Sequence, residues 1–193
     1  MAPERVPDGY PGSLERWIEV ADGRRIFVRP IVPEDVTRLA FAFAHADLDT
    51  LSRRFFTAAP PSDPASLAYL ATLDYRFRLA LLAMDDTGTS IAIGRYEGAS
   101  DVGGAGVAEV AIVVAPPWRR RGVGRAVLCA LERPALDNGF TSLTALYLPS
   151  NRAVEALLES IGYGERHVEG GIAVLTKHIS AAVPSRGCGS SIS

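Results

Sequence analysis

Between positions 107 and 115 the chain carries eight apolar residues and one charge, Glu109. A run of that kind, closed by Pro116-Pro117, predicts a central strand buried on both faces. Upstream the pattern alternates. Residues 17–20 and 25–29 read as a hairpin turned by Asp22-Gly23, and 78–84 and 90–96 as strands joined by a turn at 85–88. Pro33-Glu34-Asp35 opens a helical period running to Ala44, with acids where a helix N-terminus favours them. A short helix is expected over 49–56, and Ser62 or Asp63 is expected to cap another to about Leu73. Downstream, helical spacing runs from Gly122 to about Leu136, with Pro134 expected to kink or shorten it. A strand over 143–148 follows, then a helix over 151–161 capped by Asn151 and stopped at Gly162, and a last strand over 172–179.

The 193 residues fit one α/β domain, placed at 14–180. Positions 1–13, with three prolines and two glycines, and 181–193, rich in Gly and Ser, are expected to be loose. The formal net charge of −2 excludes a general nucleic-acid footprint, so an anion site must be local. Neither a signal sequence nor a membrane-length apolar run is evident, and a cytoplasmic protein is expected. Cys129 reads as a small core residue and Cys188 as an exposed tail thiol, with no disulfide framework. The cysteines form no CxxC pair, and His45, His167 and His178 share no metal spacing, so no metal is expected.

Two features carry chemistry. Arg119, Arg120, Arg121 and Arg125 fall within seven positions, beside Gly122, Val123 and Gly124, where the predicted helix begins. A helix N-terminus offers unpaired N–H groups and partial positive charge, the glycines permit close backbone approach, and arginines pair with phosphate oxygens. A solvated helix start carrying arginines by chance is the plain alternative. No lysine followed by Ser or Thr stands here for a Walker turn, and Val127 replaces the third glycine of a Rossmann turn. The second feature is Glu109. An amine nucleophile must lose a proton, and with a reference pKa near 10.4 only about one lysine in two thousand is neutral at pH 7. A carboxylate raised by apolar neighbours would serve as the base; a structural carboxylate paired with backbone or arginine is the alternative.

Arg119-x-x-Gly122-x-Gly124, after an apolar strand and before a helix, resembles the acyl-CoA motif of the GNAT acetyltransferases, and Asn151, a helix and Gly162-Tyr163 resemble that family's downstream segment. The resemblance covers roughly 17–179 and implies a mixed, mostly antiparallel sheet flanked by helices, with central strands splayed to admit acetyl-CoA. It assigns pyrophosphate binding to residues 119–125, pantetheine contact to the backbone of Ile112, Val113 and Val114, and a place beside the pantetheine to Asn151. Residues 25–35, Arg53-Arg54-Phe55-Phe56 and 108–115 with Trp118-Arg119 are most similar to bacterial protein-lysine acetyltransferases. In those enzymes the matching glutamate, here Glu109, is the general base, and the acceptor is a protein lysine; a small-molecule amine is the second acceptor, and a non-catalytic acyl-CoA-binding module the rival reading. Many GNAT enzymes place a tyrosine acid where this chain has Leu158, which leaves the acid unassigned. Some of the lysine acetyltransferases carry a nucleotide- or CoA-binding regulatory domain, for which these 193 residues leave no room.

Overall fold

The structure, a computed structural model, describes residues 3, 5–45, 63–98, 106–181 and 188. Strand β1 (Arg16–Glu19) pairs with β2 (Arg25–Pro30) in the expected hairpin, with Gly23 at φ 79° in the turn. Antiparallel pairing continues from β2 to β3 (Arg78–Met84), β4 (Ser90–Gly98) and β5 (Val107–Val114). After β5 the pairing turns parallel, to β6 (Ser142–Tyr147), and β6 pairs antiparallel with β8 (Ile172–His178), which carries β7 (Glu165–Glu169) on its outer edge. The eight strands form one sheet in the order β1-β2-β3-β4-β5-β6-β8-β7. Strand β7 is exposed along its whole length, so no alternation of apolar residues marks it in the sequence.

Helices cover both faces. A 3₁₀ turn, Pro33–Asp35, leads into α1 (Val36–His45), and Asp63 caps α2 (Pro64–Ala71) by accepting from the Ser66 amide at 2.8 Å. These two pack over the β2–β4 half through Ile31, Leu39, Leu67, Ala80 and Leu82. Asp35 is pinned by a buried bidentate pair with Arg29, both contacts at 2.7 Å, and accepts from the Val32 amide at 3.0 Å. The opposite face receives α3 (Val123–Asp137), which lies so close to β4 that a Cβ on Gly94 would meet Val127 at 2.5 Å. The last helix, α4 (Arg152–Ser160), takes Asn151 as its N-cap, whose side chain accepts from the Val154 amide.

Several expectations are corrected. Helix α3 ends at Asp137, close to the expected Leu136, and Pro134 does not shorten it: the ring lies buried in the last turns, where its missing N–H removes a single bond. Strand β5 is buried on both faces nowhere in its first half, where Val107 and Glu109 are exposed and Ala108 and Val110 buried. Packing begins ahead of residue 14, because the Tyr10 hydroxyl donates to Glu15 at 2.7 Å and its ring meets Tyr75 edge-on at 5.7 Å. The helix expected over 49–56, with Arg53, Arg54, Phe55 and Phe56, lies outside the described residues, as does most of 181–193. No described helix is long and apolar enough to cross a membrane.

The cysteines give the largest correction. Cys129 and Cys188 form a disulfide with Cα atoms 5.5 Å apart, tying the C-terminal segment to α3. Fifty-nine positions separate them, and neither residue's local sequence registers the contact. Beside this link, buried Lys177 donates to Glu132 of α3 and to the Ile161 carbonyl, a paired and bonded charge of the kind interiors tolerate.

A cross-link over that separation removes unfolded-state entropy worth at most about 4 kcal/mol. Thermal melts should therefore show the oxidised protein losing stability on reduction. Cys188→Ser should melt at the reduced protein's temperature whether or not reductant is present.

Candidate active site

The site begins where a strand ladder stops. Strands β5 and β6 pair only from Val107 with Ser142 to Val110 with Ala145, while β5 stays paired to β4 as far as Val114. Beyond Val110 the two central strands part. Ala115 donates to the Ile91 carbonyl, and the antiparallel alternation then turns the backbone groups of Val113 and Ala111 toward β4 and those of Ile112 and Val114 toward the gap. The backbone of Val113, expected in the cofactor-contacting set, is thus committed to β4, although the residue lines the opening. The gap widens into a cleft of about 520 Å³. Glu109 stands at one end, Arg119, Arg120 and Arg125 at the other, and Leu146, Tyr147, Leu157 and Leu158 on the far wall.

The Arg/Gly turn forms the mouth. Gly122 is the N-cap of α3 at φ 87°, a left-handed conformation that side chains rarely adopt, and Arg120 is also left-handed at φ 60°. A Cβ on Gly122 would lie 2.9 Å from the Ala21 amide nitrogen, so the turn is seated against the β1–β2 hairpin. A Cβ on Gly124 would lie 3.0 Å from Leu157 and fill the space between α3 and α4. The four arginines divide. Arg119 lines the cleft while its Nε donates to the Val114 carbonyl at 3.1 Å, and Arg120 and Arg125 line it as well. Arg121 turns away: its guanidinium donates to the Pro117 carbonyl and to Asp22 at 2.8 and 2.9 Å, and its own carbonyl accepts from Ala21. Its side chain braces the turn instead of facing an anion. Val123 is buried in the core and offers only backbone.

Asn151 lines the cleft from the start of α4, where its side chain caps the helix. Glu109 is exposed, with Glu97 of β4 and Thr144 of β6 as its cross-strand neighbours. The burial expected of it is not found, and its two cross-strand neighbours are polar rather than apolar.

Residues 25–164 match the family model described as Acetyltransferase (GNAT) domain. The chain belongs to the GNAT acetyltransferase family. It is similar to an acetyltransferase of Pseudomonas aeruginosa, 27% identical over 79% of this chain and 83% of that protein. It is also similar to Acetyltransferase Pat of Mycolicibacterium smegmatis, 30% identical over 75% of this chain, and spans 43% of that protein's length. The crystal structure of the GNAT domain of S. lividans PAT superposes with a TM-score of 0.80 at 29% identity, covering 88% of this chain and 99% of that one. A Sinorhizobium meliloti phosphinothricin acetyltransferase solved with AcCoA shares the fold, with a TM-score of 0.67 at 16% identity over 87% of this chain and 94% of that one.

As a GNAT acyltransferase, this enzyme departs from sequence expectation mainly on the far wall of its cleft. Leu158 is buried there, Ser160 donates to the Leu157 carbonyl, and Tyr163 is buried outside the lining. The wall's phenol is Tyr147, whose hydroxyl donates to Glu155 at 3.0 Å. The α4 and β6 residues of this wall were missed as site residues; the apolar positions Val154, Leu157 and Leu158 at helical spacing were the available signal, and they read equally well as core. Among the described residues, the one grouping of metal-ligating side chains is Cys129, Glu132 and Cys188, whose sulfurs are bonded to each other and which does not line the cleft.

Because Gly122 combines a positive φ with a Cβ position already occupied by Ala21, Gly122→Ala should destabilise the enzyme by about 1–2 kcal/mol or more. It should also weaken coenzyme A binding more than Gly139→Ala, where φ is positive but nothing lies within 4 Å. Parallel denaturant melts and calorimetric titrations check both expectations.

Proposed function

We propose that the enzyme transfers an acetyl group from acetyl-CoA to a primary amine in the cytoplasm, with side-chain amines of protein lysines as acceptors. The observation that carries this reading is one continuous cleft running from the Arg/Gly turn, along the unpaired edge of β5, to Glu109. The residues present fit acetyl-CoA. Gly124 stands where a Cβ would crowd Leu157 and Val114 of the lining, cationic side chains stand about the mouth, and the helix N-terminus favours an anion. The pyrophosphate would meet the backbone of residues 122–124 with Arg119, Arg120 and Arg125 about it, and the pantetheine arm would meet Ile112 and Val114, with Asn151 alongside.

Glu109 takes a proton from the acceptor's ammonium. The neutral nitrogen then attacks the thioester carbonyl carbon, a C–N bond forms, and negative charge builds on the carbonyl oxygen. A strand N–H near Val114, turned to the cleft, would donate to that oxygen. As the carbonyl re-forms, the C–S bond breaks, and the thiolate takes a proton from the nitrogen or from water. The lysine acceptor is supported by the stretches at 25–35 and 108–119 and by the likeness to proteins named Pat.

The test is a thiol-release assay with wild-type and Glu109→Gln enzyme on lysine peptides and on small amines. Glu109→Gln should lower kcat on peptides by about 10²–10⁴-fold while calorimetry finds acetyl-CoA affinity unchanged. Turnover of small amines alone would overturn the acceptor. Acetyl-CoA binding without any turnover would make the chain a binding module, and an active Glu109→Gln would remove the base.

A further inference from the structure

The surroundings of Glu109 hold more charge than a single base requires. Arg78 of β3, Glu97 of β4, Glu109 of β5 and Thr144 of β6 are successive cross-strand partners and so form one row on one face of the sheet. By the alternation set at Ala115 and Ile91, Glu97 and Glu109 occupy a hydrogen-bonded pair, with Cα atoms about 5.5 Å apart. Two carboxylates directly opposed in that way repel. One step along the same face lies Arg95, opposite Ala111.

Arg95 is an unusual strand residue. It is 7% exposed, its Nη2 lies 3.4 Å from Glu97 Oε2, and its buried Nε has no hydrogen-bond partner among the described residues. Burial pulls the guanidinium below its ordinary proton affinity; Glu97 pulls it back up, Arg78 pushes it down, and Glu109 pulls it up. A buried guanidinium whose nearest carboxylate leaves part of it unpaired has charge to share with the next carboxylate along the face. Glu97 in turn is fixed from several sides. The Tyr69 hydroxyl donates to it, and Arg78, 3.6 Å away, stacks on the Tyr69 ring at 3.7 Å and donates to the Tyr69 carbonyl at 2.6 Å. On the other side β6 presents Thr144 and Ser142, neither of them titratable, and among the described residues the next charged groups on this face are His178 of β8 and Glu165 of β7.

We propose that Arg95 and Glu97 are opposed positioning residues for Glu109: the buried guanidinium favours the carboxylate's charged form, the facing carboxylate disfavours it, and their balance sets the pH at which Glu109 accepts the acceptor's proton. This rests on Glu109 being the base and supplies the tuning that its exposed position does not.

The experiment is a carboxyl-carbon NMR titration of glutamate-labelled enzyme, with the Glu109 resonance assigned by its loss in Glu109→Gln, beside pH profiles of kcat/KM on a lysine peptide. In Arg95→Gln the Glu109 midpoint and the acidic limb of kcat/KM should both move up by about one pH unit. In Glu97→Gln both should move down by a similar amount. Arg95→Lys, which keeps the charge, should return both toward wild type. If Arg95→Gln does not fold, Glu97→Gln decides, and a midpoint that stays or rises there overturns the proposal. Midpoints that move as stated while Glu109→Gln remains active would leave the pairing standing and refute Glu109 as the base. Midpoints that do not move, with Glu109→Gln inactive, would do the reverse.

Discussion

Main-chain N–H and C=O groups inside a protein must find partners, and in this sheet the requirement is suspended along one strand edge. The β5–β6 ladder closes four residue pairs and then parts, leaving the Ile112 and Val114 backbone turned toward a cleft instead of a neighbouring strand. One of those groups, the Val114 carbonyl, is met by Arg119 from the turn that follows. The remaining edge is a template for an extended ligand with amide groups of its own. Everything else in the site is arranged along that edge, with a cationic helix start at one end and a carboxylate at the other.

Keeping the strands apart requires bracing from elements distant in sequence. The β1–β2 hairpin holds the turn through the Arg121 carbonyl bonded to Ala21, the Arg121–Asp22 pair, and Arg24 stacked over Trp118 at 5.3 Å. On its other side α3 is tied to the sheet by Lys177 and Glu132 and to the C-terminal segment by Cys129 and Cys188. The helix that presents the Arg/Gly turn is thus fixed at its start by the first strands and along its length by the last.

What the sequence made legible was whatever local chemistry determines. The apolar run of β5, the glycines and arginines of the turn, the Asn151 cap and the lone charge of Glu109 are each readable within a few residues, and the structure brings all of them but Arg121 to one cleft. What stayed hidden depends on register and on distant contacts. The parting of β5 and β6 is a property of pairing, which neither strand encodes alone. Arg121 looks like its three neighbours until Asp22, 99 positions away, claims it. Nothing in the local sequence singles out Arg95 or Glu97; only the antiparallel register of β4 with β5 sets them beside Glu109. Strand β7 carries no apolar alternation because it buries neither face.

The central claim is that the open edge of β5 receives the acyl donor, and the most direct measurement is amide hydrogen exchange at single residues with and without saturating coenzyme A. The Ile112 and Val114 amides should exchange quickly in the free enzyme and become protected on binding, while the Val113 amide, already turned to β4, should be protected in both states. Coenzyme A binding that leaves the Ile112 and Val114 amides unchanged would contradict this account, because the ligand would then lie somewhere other than the gap between β5 and β6.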